Sequence, residues 1–149
     1  MCKGDLNGIW KGYYELGADY GKRLEGMKTR FKLFLKTNNG EFSGECIDET
    51  NNNDEVIRAT VKGFYEGGMI SFIKQSPVRL LIDDTGKRIT DKNSNHPEIE
   101  YSGYYNDAMK MFAGNWELVT RIDILDIRGE KRIGEEYLSG TWQMTKEEI

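Results

Sequence analysis

Residues 27–36 read Met27-Lys28-Thr29-Arg30-Phe31-Lys32-Leu33-Phe34-Leu35-Lys36, and here Phe31, Leu33 and Leu35 alternate with Lys32, Phe34 and Lys36. A period of two sends successive side chains to opposite faces of an extended strand, whereas an amphipathic helix needs apolar residues three and four apart. Asn38-Asn39-Gly40 follows, three residues that accept positive φ, and a second alternating segment starts at Glu41. Strand, tight turn and strand make a hairpin.

The same period recurs along the chain and predicts eight strands over residues 6–14, 27–36, 41–47, 56–65, 69–75, 98–105, 109–118 and 140–146. In the fourth, Ala59, Val61 and Gly63 oppose Arg58, Thr60 and Lys62. The connections fall into two classes. Asn38-Asn39-Gly40, Glu66-Gly67-Gly68 and Asn106-Asp107 are hairpin turns, whereas residues 15–26, 48–55, 76–97 and 119–139 form longer links. In a consecutive meander every second connection lies at the same end, so short turns gather at one end and long links at the other. An open meander exposes two edges and an apolar face, and closure into a barrel removes both. The expected fold is therefore all-β, an eight-stranded antiparallel up-and-down barrel occupying 1–149 as a single domain. Within the long links, Val78-Arg79-Leu80-Leu81-Ile82 and Lys87-Arg88-Ile89-Thr90 flank Asp83-Asp84-Thr85-Gly86 as an extra hairpin. Ile122, Ile124, Leu125 and Ile127 fit either a strand extension or a short helix.

A chain of 149 residues can build a core without metals or disulfides, since a domain of that size buries about 68–70% of its unfolded surface. Aromatic residues at 11% and charged residues at 31% describe a globular protein with a solvated surface. The net charge of −4, with both signs mixed along the chain, offers no basic face for phosphates, so nucleic acid is not an expected partner. No apolar run approaches the length of about 20 residues that spans a bilayer, and Met1-Cys2-Lys3-Gly4-Asp5 lacks an apolar signal core, so no membrane association is expected. The expected compartment is the cytoplasm, with a removed export signal left open. Cys2 and Cys46 do not make a disulfide framework, and Cys46 suits a packed apolar position.

A weak repeat places a Gly near an aromatic residue, in Gly8-Ile9-Trp10, Gly63-Phe64-Tyr65, Gly103-Tyr104-Tyr105, Gly114-Asn115-Trp116 and Gly140-Thr141-Trp142. Such glycines mark bends or close backbone approach in a barrel wall; alternatively, inward glycines open room for a ligand.

No catalytic, metal or cofactor set emerges from the residues. The only histidine, His96, stands in Asn95-His96-Pro97 on a long link, which leaves zinc and nucleophile–histidine systems without their second member. Asp83-Asp84 and Glu135-Glu136 suit solvated charge, as do Lys22-Arg23 and Lys131-Arg132; Glu117 turns outward if Trp116 faces in.

Gly8-Ile9-Trp10 on the first strand, a meander filling the chain, and Lys146 on the last strand together resemble the calycin superfamily, which holds lipocalins, fatty-acid-binding proteins and avidins. In the lipocalin pattern a Trp of the first strand plugs the closed end and a cationic residue of the last lies over it. The resemblance gives those roles to Trp10 and Lys146. Gly40-Glu41-Phe42-Ser43-Gly44 also looks like an avidin segment, but Cys46 and Asp48 stand where the avidin pattern has the Tyr and Thr that contact biotin, so biotin binding is not implied.

A barrel of eight strands either holds one small ligand or is filled by its own side chains. Period two from the anchors Trp10, Phe31, Phe42, Val61, Phe72, Tyr101, Trp116 and Trp142 selects Tyr14, Phe31, Cys46, Ile57, Phe72, Lys74, Tyr101, Trp116 and Trp142 as the inward set near the long-link end. It is mostly apolar, with Lys74 suited to a ligand carboxylate and Tyr14 and Tyr101 suited to hydrogen bonding. The first functional expectation is thus a container for a small apolar or amphipathic molecule. The second is a filled barrel that binds another protein through its outer face, where Phe34, Phe64, Ile73 and Tyr104 fall on the outward parity. An enzyme is the third, without an acid, base or metal set to carry it. Homo-oligomerisation is left open.

Overall fold

A computed structural model of the chain describes residues 6–49, 58–76, 79–82, 88–91, 98–125 and 131–147. Its strands are β1 (Gly8–Leu16), β2 (Lys28–Asn38), β3 (Glu41–Asp48), β4 (Arg58–Glu66), β5 (Met69–Gln75), β6 (Arg79–Ile82), β7 (Arg88–Asp91), β8 (Ile99–Asn106), β9 (Met111–Leu125) and β10 (Lys131–Lys146). Eight of them, β1–β5 and β8–β10, close into an antiparallel barrel in chain order, and β6 pairs with β7 as a separate hairpin. The seam joins the two ends of the chain, with Trp10 opposite Lys146 and Leu16 opposite Gly140.

Local chemistry explains the elements. Along β2, Thr29, Phe31, Leu33 and Leu35 are buried while Lys28, Arg30, Lys32, Phe34 and Lys36 are exposed, the alternation on which the fold expectation rested. The tight turns use left-handed backbone at Asn39 (φ 52°) and Gly40 (φ 84°), and at Gly67 (φ 59°) and Gly68 (φ 85°). In the turn between β8 and β9, Met109 N–H donates to Asn106 Oδ1 (3.1 Å) and Lys110 takes positive φ. All three turns lie at one end.

That end is plugged. Trp10, Leu33, Leu35, Ile70, Phe112 and Met144 are buried there, and Leu6, which precedes β1, is fully buried over them. The Trp10 indole N–H donates to the carbonyl of Leu6 (3.0 Å), and the Leu6 N–H donates to Thr37 Oγ1 (2.9 Å). Asn7 Oδ1 accepts from Thr37 N–H at 2.7 Å, which ties the entering chain to β2.

The structure departs from the sequence expectation at residues 119–139. Instead of a long link, β9 and β10 continue as a paired ribbon from Leu118↔Leu138 to Leu125↔Lys131. The ribbon stands beyond the barrel, because β8 joins β9 only as far as Leu118 and β1 joins β10 only as far as Gly140. Ile122 and Ile124 alternate with Arg121 and Asp123, and of the two forms open for this segment, strand extension and short helix, the extension is the one observed. The first strand also starts later than expected, since Gly8 (φ 127°) turns the chain and releases Leu6 to the plug. The link at 15–26 contains a short 3₁₀ helix, Ala18–Tyr20.

Candidate functional site at the long-link end

Above the plug, the barrel interior carries a polar cluster in an aromatic setting. Lys74 follows Ile70 and Phe72 on the inward face of β5, and Asp48 follows Phe42 and Cys46 on the inward face of β3. β4 lies between these strands, and its inward residues beside them are small: Ala59 is paired with Cys46, and Val61 with Lys74. The long Lys74 side chain therefore crosses the interior of β4 to reach Asp48. Its Nζ lies 2.8 Å from Oδ1 and 2.7 Å from Oδ2, and the two side chains are only 5% and 6% exposed.

The surroundings fix the protonation states. The Cys46 thiol donates to Asp48 Oδ1 at 3.5 Å, and burial pushes its pKa up, so it remains a thiol. Burial opposes the charge on Lys74, yet the Asp48 carboxylate holds the ammonium protonated beyond its ordinary range. Burial likewise raises Tyr101. Lys74 Nζ also sits 5.2 Å from the centre of the Tyr14 ring, an arrangement that favours a desolvated cation.

Aromatic rings enclose this cluster and meet one another. Phe72 stacks on Tyr101 with centroids 4.6 Å apart, and both meet Trp142 edge-on. Tyr14 stacks on Phe31 and meets Trp116 edge-on at 6.0 Å. The β1–β2 link folds over the mouth: Tyr20 reaches Trp116 (6.1 Å), and Leu24 and Met27 pack on the core. Gly17 N–H donates to the Ser139 carbonyl, and Ser139 Oγ donates to Asp19 Oδ2 at 2.6 Å, which fastens the link to β10.

Of the inward set chosen from sequence, Phe31, Cys46, Phe72, Lys74, Tyr101, Trp116 and Trp142 are buried in one interior, and Tyr14 is half-buried against it. Ile57 lies outside the described residues, as do His96 and Asp83-Asp84. Trp10 is buried at the plug, and Lys146 is paired with it through the backbone. The Lys146 side chain is exposed and runs toward Gly8; among the described residues, ring–cation contacts join Lys74 to Tyr14 and Lys28 to Tyr13, not Lys146 to Trp10. Asp48 is the member that sequence reasoning missed. The expected third strand stopped at Ile47, and carrying its period one residue further places Asp48 inward beside Cys46.

The glycines of the wall are occupied by the protein's own rings. A β-carbon on Gly103 would come within 2.9 Å of Trp142 Cζ2, and one on Gly140 within 2.5 Å of Trp116 Nε1. A groove of about 660 Å³ is lined by Ile73, Glu100 and Glu117 together with Phe72, Tyr101 and Trp116. Phe34, Phe64, Ile73 and Tyr104 are exposed on the outer wall. Among the described residues no three His, Cys, Asp or Glu side chains are grouped to hold a metal, and no helix is long and apolar enough to cross a membrane.

No family model, curated protein or solved structure matches the chain.

Proposed function

We propose that the chain is a lipocalin-like member of the calycins that encloses a small amphipathic molecule at the long-link end of its barrel. The buried Lys74–Asp48 pair carries this proposal. Two charges removed from water cost several kcal/mol each, and a buried ion pair is often no more stabilising than apolar residues of the same volume. A barrel needing only a packed interior has no use for one in this place, whereas polar groups converging in an apolar, aromatic chamber are what orients a ligand. The apolar body of the molecule would displace or intercalate among Phe31, Phe72 and Trp116, and its polar end would meet Lys74, Tyr14 and Tyr101. Entry would require the fastened β1–β2 link to lift away from Trp116. No reaction is proposed: among the described residues, the interior cluster pairs Lys74 with Asp48.

Native mass spectrometry of the purified protein, together with a titration by N-phenyl-1-naphthylamine, tests the proposal. Expected are a non-covalent adduct or equimolar, saturable probe binding that quenches Trp fluorescence. Adduct-free protein that binds no probe overturns it.

A second function, recognition of a protein partner through the outer wall, is favoured by the exposed Phe34, Phe64, Ile73 and Tyr104. A stable dimer or tetramer in solution, lost on replacing Phe64 and Tyr104 by Ser, would favour this alternative.

A further inference from the structure

The enclosed-ligand proposal leaves open which polar end the site accepts, and the partner already held by Lys74 bears on that choice. An isolated buried lysine would take a ligand carboxylate. Here both Asp48 oxygens lie within hydrogen-bonding distance of Nζ, at 2.8 and 2.7 Å, so the protein has supplied the carboxylate itself. Cys46 donates to the same Asp48 and stays neutral, and the phenols of Tyr14 and Tyr101 lie near Lys74. Among the described residues, the cluster carries no net charge.

We propose that the site selects a neutral hydrogen-bonding head group, an amide or an alcohol, over a carboxylate; this rests on the enclosed-ligand proposal. A carboxylate entering here would lie beside Asp48, give the buried cluster a net negative charge, and forfeit its own hydration for an ammonium already neutralised. An amide or hydroxyl brings no charge to desolvate. Its oxygen accepts from the ammonium N–H not engaged by Asp48, and its N–H or O–H donates to a phenol oxygen.

Octanamide and octanoate share one alkyl chain and differ at the head, so their competition against bound N-phenyl-1-naphthylamine at neutral pH isolates the head group. Octanamide is expected to displace the probe at about tenfold lower concentration than octanoate. Asp48→Asn, checked for folding by circular dichroism, leaves Lys74 without its counter-ion and is expected to move the ratio at least about tenfold toward octanoate. Octanoate binding the native protein as well as octanamide, or neither displacing a probe that does bind, overturns the selectivity while the enclosed-ligand proposal survives. An unchanged ratio in a folded Asp48→Asn also overturns it. Should that variant not fold, the ranking in the native protein decides alone. A native protein that binds no probe at all removes the parent proposal and this one with it.

Discussion

The indole of Trp142 lies over Gly103 of the neighbouring wall and donates from Nε1 to two carbonyls, those of Ser102 (3.1 Å) and Asn115 (3.0 Å). Glycine and indole are matched, because a β-carbon at position 103 would meet the Ala113 carbonyl oxygen at 2.4 Å as well as the ring. Gly103→Ala is therefore expected to destabilise the fold by about 1–3 kcal/mol through overpacking. Trp142→Phe, which keeps a ring but loses the donor, should cost a similar amount, about 1–3 kcal/mol. Urea unfolding midpoints measure both, and unchanged values would show that the wall gives way freely.

The ion pair makes a distinct prediction for single and double variants. Lys74→Met or Asp48→Leu alone strands one buried charge and should destabilise by about 3–5 kcal/mol, whereas the double variant is expected within about 1 kcal/mol of the native protein. A double-mutant cycle by chemical denaturation reads the coupling directly. Additive losses would mean that the two groups do not depend on each other.

Alkaline stability follows from the same cluster. Cys46, Tyr101 and Lys74 all titrate higher in the folded chain than their ordinary 9.0, 10.0 and 10.5. Each therefore keeps its proton when folded and loses it when unfolded, so its contribution is complete below its ordinary pKa and declines as pH rises above it. Unfolding free energy should hold steady between pH 7 and 8.5. It should then fall by about 1.4 kcal/mol per pH unit for each group ionised only in the unfolded state. Cys46→Ala is expected to delay the onset toward pH 10. A flat profile up to pH 11 would contradict the burial of these groups.

At the plugged end, two residues at the same rim should behave differently. Leu6→Ala removes a fully buried side chain and should cost about 2–5 kcal/mol. Lys146→Met alters an exposed side chain and is expected to change stability by no more than about 0.5 kcal/mol and to leave Trp fluorescence in place. A loss above about 1 kcal/mol in the second variant would reveal a closing role for the cation over the Trp10 ring.

Much of this architecture was legible in alternation and turn chemistry. Thr29, Phe31, Leu33 and Leu35 point inward where period two puts them, and Phe34, Phe64, Ile73 and Tyr104 point outward. Asn39-Gly40 and Gly67-Gly68 occupy the turns that need positive φ. Period two finds the face of a side chain but not its partner. It placed Lys74 inside, yet the link to Asp48 depends on Ala59 and Val61 being small enough to be crossed, a relation among three strands that no local pattern encodes. The glycines were ambiguous for the same reason: whether Gly103 and Gly140 leave space depends on where Trp142 and Trp116, far along or across the chain, come to rest.

The seam between β1 and β10 has a consequence for how the molecule is made. Trp10 and Lys146 stand side by side although nearly the whole chain separates them. Bringing such distant segments together carries the loop-closure entropy that slows β-rich topologies with non-local contacts. A nascent chain on the ribosome cannot complete the barrel until β10 has emerged, and until then β1 and β9 each present an unsatisfied edge. Final closure is thus a late event in biogenesis, and that interval is when the chain is most open to edge-to-edge aggregation.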